Sequence, residues 1–421
     1  MPQPPIRVAI IGGGLAGATL ANALINVPHL EIDLYESAAE FSERGAAVTL
    51  GPYAQKALQQ VLPSAKETLN RAAAVPKPHS RLMLGSGPDA GTLLFDIAGP
   101  GEPAVVIHRS SLLRELLAPL PKKILHANHE LAEIKAHDDR LDVIFKDRSV
   151  KHFDAVIGAD GIFSKVRKHV VGEAVQYQAS PSGFWDCRLL VPHERACAVF
   201  GDRYFELDRE FGWVGNSSFI MHDVLENRTL VQFVLSAVDR DWSIGRERPL
   251  TKELLTKTLE DWPEGPIAKG VIDLLSERTG LKAYSEWEHK ETPTYANGRV
   301  CILGDAAHAA TPWQGSGAGL AIEDAAVLSH LLANVSNIGE LDAAFKAYDA
   351  VRRPRGQRVV DSSRGTGKIL CGQDPSIGLD PVKLRESLPG RWSFIWGLDL
   401  AAHKQDALET MRAICSGPGL G

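Results

Sequence analysis

Apolar and polar positions sort the chain into successive regimes. From residue 6 to about 170, short all-apolar runs alternate with stretches whose apolar residues recur at helical spacing, as where Arg7-Val-Ala-Ile-Ile precedes Thr19-Leu20-Ala21-Ala23-Leu24. Buried strands alternating with helices predict an α/β fold with a parallel sheet. The character changes near Val175. From Gly183 to Leu235 strand-type runs dominate, among them Phe184 to Val191, Trp213 to Met221 and Leu230 to Leu235, so a sheet-rich insertion is expected. It closes with a polar, helical-looking segment from Leu250 to Leu275, and the α/β pattern returns near Leu281. The Pro- and Gly-rich region 76–104 is expected to add a strand or loop on the side of the insertion. The pattern divides the chain into a first α/β part (1–175), a β-rich insertion (176–280), a second α/β part (281–370) and a C-terminal helical segment (371–421). In that last segment Trp392, Phe394, Ile395, Trp396, Leu398 and Leu400 suggest a helix packed on the body or on a second subunit in preference to a membrane contact.

Composition narrows the classes. A chain of 421 residues suits two intimately packed domains with a sizeable core. A net charge of −6 without any Lys/Arg stripe argues against a nucleic-acid partner. Five scattered cysteines, with no Cys-x-x-Cys, indicate neither a zinc site nor a disulfide framework, so no metal is expected and a reducing, cytoplasmic setting is the default. The N-terminus shows no targeting segment, and no run approaches the ~18 apolar residues of a membrane span.

Three motifs carry the chemistry. Gly12-x-Gly14-x-x-Gly17 follows a strand and opens a helix, and the next strand ends in Glu36, nineteen residues beyond Gly17. That is close to the ~20 expected of a carboxylate that holds the ribose of an adenine dinucleotide, although the fingerprint does not choose between NAD and FAD. The second motif is Asp154-Ala-Val-Ile-Gly158-Ala-Asp160-Gly161, a buried-type strand running into a turn, with Ser164 placed as a helix N-cap. The third, Val300 to Asp324, delivers Gly304-Asp305 from a strand. A Pro/Gly loop then leads through Gly315, Gly317 and Gly319 into a long helix. Asp305 can accept hydrogen bonds from sugar-like hydroxyls, while the glycines let backbone approach a flat ring beside a positive helix end, which together suit a flavin.

These motifs, in this order, resemble the single-component FAD-dependent aromatic hydroxylases of the p-hydroxybenzoate hydroxylase superfamily, and most closely their salicylate hydroxylase-like, fungal-type branch. The resemblance covers about residues 6–370. It implies a Rossmann-like FAD-binding domain with an inserted sheet-rich substrate domain, and an NAD(P)H-dependent monooxygenase. Such an enzyme hydroxylates a phenol or phenolic acid with dioxygen, including hydroxylation at a carboxyl-bearing carbon with loss of carbon dioxide. NADH or NADPH would serve as a transient donor, and a homodimer is left open. Gly12, Gly14 and Gly17 would cradle the pyrophosphate, Glu36 the ribose and Asp305 the ribityl chain. Arg109 and the Asp160 segment would touch the cofactor, and Pro312, Gly315, Gly317 and Ala318 would border the isoalloxazine. Ala47 falls at a flavin-side position, in Gly45-Ala46-Ala47, where relatives tend to read Gly-Ala-Gly.

On the substrate side, Arg188 aligns with an arginine that relatives place near the substrate oxygen. Asp223 stands at or near a tyrosine of dearomatising relatives, which makes His222 the candidate hydrogen-bonding partner. Trp313 occupies a position where several bacterial relatives carry a histidine, and it offers an apolar stacking wall. His308 reads as a structural histidine. A halogenase signature and a second dinucleotide fingerprint are both absent from the sequence. Epoxidation, dearomatisation, Baeyer–Villiger-type oxidation and flavin binding without catalysis remain as alternatives.

Overall fold

The structure is a computed structural model, and it describes residues 4–42, 47–98, 102–205, 209–240, 245–263 and 265–417. Its centre is a six-stranded sheet in which Ile6–Ile11 lies between Leu30–Tyr35 and Ala155–Gly158, both parallel to it. Val300–Ile302 continues the parallel array beyond Ala155–Gly158, and Ala296–Asn297 and Leu125–His126 form the edges. Val8, Ala9, Ile10, Ala155, Val156 and Ile157 are all fully buried, as strands covered on both faces must be. Helices Leu15–Leu24, Gly317–Ala333 and Leu341–Leu370 supply the covering apolar surfaces. The carboxyl ends of the parallel strands bring Gly12, Glu36, the 159–161 turn and Asp305 to one edge. This is the crevice where open α/β sheets bind ligands.

The second layer is an eight-stranded mixed sheet. Its order runs Glu247–Pro249, Lys282–Glu288, Ser180–Pro192, Leu230–Val238, Ser218–Leu225, Arg209–Val214, His79–Leu84 and Leu93–Ala98. Two strands from the 76–104 region therefore extend the insertion's sheet. One boundary needs correction: Lys282–Glu288 pairs with Ser180–Pro192, so the chain leaves the insertion after Glu288 and not at residue 281. In that strand the buried positions include Glu286 and Glu288 while Tyr284 is exposed, so a reading based on apolar runs misses its strand character. The C-terminal helix Leu400–Ser416 packs on the body, with Leu400, Ala407, Leu408 and Met411 joining the main core. Among the described residues no helix is long and apolar enough to cross a membrane.

Candidate functional site

A cavity of about 1660 Å³ opens between the carboxyl edge of the parallel sheet and one face of the eight-stranded sheet. Its two halves are built differently.

The first half is made of turns and helix starts. Helix Leu15–Leu24 begins at Gly14 and helix Gly317–Ala333 at Ser316, and neither has a side-chain cap, so their first N–H groups are open to the cavity as donors. Gly12 turns with a φ of +111°, and a Cβ on Gly17 would collide with the Gly12 carbonyl oxygen. Gly17 thus does not line the cavity but lets the helix close on the strand. Glu36 Oε2 accepts from the Gly13 amide at 2.9 Å, and Oε1 accepts from the Ala38 amide at 2.8 Å, which fixes the carboxylate at the rim. Asp305 lines the cavity, is exposed and makes no hydrogen bond to protein among the described residues. A Cβ at Gly315 or Gly317 would meet no atom within 4 Å; Gly315 turns at a φ of +60°, where glycine is favoured, whereas nothing in the protein demands glycine at Gly317 and a flat group lying against the loop would. Pro312, Ala318 and Arg109 line the same half, Arg109 from the first turn of its helix. An unengaged carboxylate for hydroxyls, two open helix N-termini and a shallow glycine cradle fit a flavin dinucleotide.

Two residues of this half play different parts from those expected. Asp160 lines the cavity, but its carboxylate caps the following helix, accepting from Ser164 Oγ and from the amides of Lys165 and Val166 at 2.7 and 3.2 Å. Burial pushes its pKa up, against those hydrogen bonds. The Ala47 amide donates to Gln232 Oε1 at 2.9 Å and so ties the first half to the sheet, while Gly45 and Ala46 lie outside the described residues.

A buried network holds the Asp305 turn. The Gly304 amide donates to Asp324 Oδ2 at 3.0 Å, His308 bonds the same carboxylate, and Arg352 pairs with both Asp324 (2.8 Å) and Glu323 (2.9 Å). Burial alone would raise the Asp324 pKa, but His308 and Arg352 hold it below the usual carboxylate range. His308 is therefore a strut of the turn. Arg167 is a second strut, donating to the carbonyls of Tyr177, Glu291, Ala306 and Ala307 and to Thr292 Oγ1.

The second half is a wall of alternate side chains. Asp186 and Arg188 project from one strand, opposite Ser236 and Val234 of the next; those face Phe219 and Met221, and Gln232 faces Asp223. All eight line the cavity, while Trp185, Cys187, Leu189 and Ile220, at the intervening positions, fill the core behind. Trp313 seals one end against Phe184 and Phe219, at ring-centroid separations of 5.0 and 5.9 Å. Arg188 Nη2 donates to Asp186 Oδ2 at 3.0 Å, and that neighbouring carboxylate raises the guanidinium's pKa.

His222 requires correction. It follows Met221 and so points through the sheet to the other face, where it is 1% exposed and packed among Phe205, Phe211, Trp213 and Phe233. Burial pushes its pKa down to about 3, so at neutral pH it is an uncharged core histidine, bonded to the Tyr204 carbonyl and not part of the cavity lining. Asp223, one residue on, is the group that lines it. Burial raises the Asp223 carboxyl, and Lys77 pulls it back. The sequence reading also missed Glu286, which lines the cavity with neither carboxyl oxygen in a well-formed hydrogen bond. Tyr-Ser-Glu-Trp-Glu at 284–288 carries no regular alternation that would have marked it.

Residues 108–363 match the FAD binding domain family. The chain is 34% identical to the 6-methylsalicylate 1-monooxygenase of Aspergillus terreus, over 96% of this chain and 92% of that protein. It is 31% identical to a salicylate hydroxylase of Pseudomonas putida, over 96% and 94%. A solved salicylate hydroxylase substrate complex superposes with a TM-score of 0.84 at 26% identity, covering 96% of this chain and 98% of that one. With the nucleotide-fitted crevice, these likenesses place the chain in the family of salicylate hydroxylase-like, FAD-dependent aromatic hydroxylases, flavoprotein monooxygenases that take their electrons from a reduced nicotinamide.

Proposed function

We propose that this protein hydroxylates the ring of a phenol held against the Arg188–Met221 wall. The observation that carries the reading is the continuity of one cavity from Asp305 and Gly317 to Arg188, Phe219 and Trp313. Bound FAD supplies the activation of dioxygen, one atom going to the ring and the other to water, with two electrons from NADH or NADPH. The protein's own part is positioning, water exclusion and electrostatics. Gly14 and the first turn of Leu15–Leu24 receive the pyrophosphate, Glu36 and Asp305 accept from ribose and ribityl hydroxyls, and Pro312 to Ala318, with Ala47 and Arg109, border the ring system. The N-terminus of Gly317–Ala333 favours negative charge on the reduced ring by about 1 kcal/mol. Phe219, Met221, Val234 and Trp313 keep water from the reacting carbon. Arg188 keeps its charge through Asp186 and has further N–H groups to offer a phenolic oxygen, favouring the electron-rich phenolate.

Two forms of the reaction suit such a site: replacement of a ring hydrogen, and hydroxylation at a carboxyl-bearing carbon with loss of carbon dioxide. Five cysteines without a disulfide fit a cytoplasmic protein, and light scattering of the purified protein will show whether it is a homodimer. The test is product analysis under isotopically labelled dioxygen. One labelled oxygen in a hydroxylated ring is the expected result, and unlabelled or unchanged phenol across a broad panel overturns the reading.

A further inference from the structure

The sheet wall is matched or acidic wherever it is charged. Lys77 is paired with Glu210 at 2.6 Å and lies beside Asp223, Arg81 is paired with Asp96, and Arg188 with Asp186. Among the described residues of this half, each cation thus already has a carboxylate, and two further acids remain: Asp223 and Glu286. Glu286 is the more telling. It is 7% exposed, it faces the cavity, and neither oxygen has a well-formed hydrogen bond, although the Trp313 indole N–H lies close enough to ease its charge. Its strand meets Ser180–Pro192 where the register shifts between Pro181 and Trp185, and an irregularity of this kind re-aims side chains. A buried polar group left without a protein partner is costly, and such groups mark places where a ligand completes the bonding.

We propose that Glu286 is a specificity-determining residue, and that with the Asp186–Arg188 pair it makes this site select uncharged phenols over salicylate-type carboxylates. The inference rests on the proposed phenol hydroxylation and narrows it to replacement of a ring hydrogen. A hydroxyl on an uncharged ring can exchange hydrogen bonds with Glu286. A substrate carboxylate would add a second negative charge beside Asp186 and Glu286 where, among the described residues, Arg188 is already shared with Asp186 and its remaining N–H groups face the phenolic oxygen.

The groups facing Glu286 are Asp186 and Arg188 from the adjacent strand, Glu288 (paired with Arg364) from its own, Trp313 from the loop and Cys371 from the end of Leu341–Leu370. Burial, reinforced by Asp186, raises its pKa well above the ordinary value, against Arg188. A bound carboxylate would raise it further. An anionic ligand must therefore keep Glu286 protonated and weaken as pH rises, whereas an uncharged phenol need not.

The test uses FAD-loaded protein and pairs of ligands that differ by one carboxylate: phenol against salicylate, and resorcinol against its ring-carboxylated derivative. Affinity is read from perturbation of the flavin absorbance. The uncharged member of each pair is expected to bind at least about tenfold more tightly, a small part of the repulsion between near charges in a poorly solvated site. Carboxylate binding should weaken with rising pH, and Glu286→Gln should narrow the gap and remove that pH dependence. Salicylates binding as tightly as the uncharged partners, or a pH-independent gap in the unaltered protein, overturns the inference. Should Glu286→Gln fail to retain FAD, the ligand pairs on the unaltered protein decide alone. A clear preference without any hydroxylated product would refute the proposed reaction while supporting the selectivity.

Discussion

The two halves of the cavity present opposite problems to a ligand. The cofactor half offers unmatched groups: open helix N-termini, the unengaged Asp305 carboxylate and glycines with nothing above them. In the substrate half it is the cations that are already satisfied, Arg188 by Asp186 and Lys77 by Glu210, with the acids Asp223 and Glu286 left over. The first arrangement suits a large polar cofactor held for many turnovers. The second suits a small ring that must enter, be oriented and leave, because a matched wall gives position without tight charge–charge binding.

Substitutions should separate the halves. The largest effect belongs beneath the cofactor half: Arg352→Leu removes the buried cation shared by Glu323 and Asp324, leaving Glu323 to Arg355 and Asp324 to His308, and should lower stability by about 3–5 kcal/mol, read by denaturant unfolding. Loss of less than about 1 kcal/mol would show that the network does not brace the Asp305 turn. Next, Asp305→Ala should weaken FAD binding by roughly 10- to 100-fold while the fold persists, as expected for loss of charge-assisted hydrogen bonds. Equilibrium dialysis with the apoprotein measures this. In the substrate half, Arg188→Met should retain FAD but reduce turnover about tenfold or more, with the loss greatest below the phenol's own pKa, where help in forming phenolate matters. A pH profile parallel to that of the unaltered protein would remove Arg188 from that role.

The smallest effect is expected at His222. His222→Phe should leave turnover within about twofold and change stability by less than about 1.5 kcal/mol at neutral pH, since the ring lies among Phe205, Phe211, Trp213 and Phe233 and gives up only a long bond to the Tyr204 carbonyl, 3.3 Å. Its pH signature is specific. In the fold His222 titrates at about 3, whereas a free histidine titrates near 6.5, so as pH falls through that interval the unfolded chain takes up a proton that the folded chain cannot. Stability is lost across that window, and the phenylalanine variant should lose less of it. His289, also held at about 3, keeps part of the slope in place.

The same contrast explains what the sequence revealed. Cofactor contacts come from backbone at the ends of consecutive elements, so glycines and acids fall into short local patterns such as Gly12 to Gly17 and Gly304-Asp305. Even there, the side chain of Asp160 turned inward, because a carboxylate before a helix start can cap that helix as readily as meet a ligand. Substrate contacts come from single alternate positions on strands far apart in sequence, including 186–188, 219–223, 232–236 and 286. Nothing local says which face of a strand meets the cavity. His222 and Asp223 differ by one residue and stand on opposite sides of the sheet, and only the pairing register decides between them.

The central claim is that cofactor and phenol meet in one cavity, and the most direct measurement is the rate of NADH or NADPH oxidation by the FAD-loaded protein with and without added phenol. The account predicts that a phenol which perturbs the flavin spectrum also accelerates oxidation by at least about tenfold, since binding beside the flavin must bear on its reduction. Oxidation indifferent to every phenol that binds would contradict it.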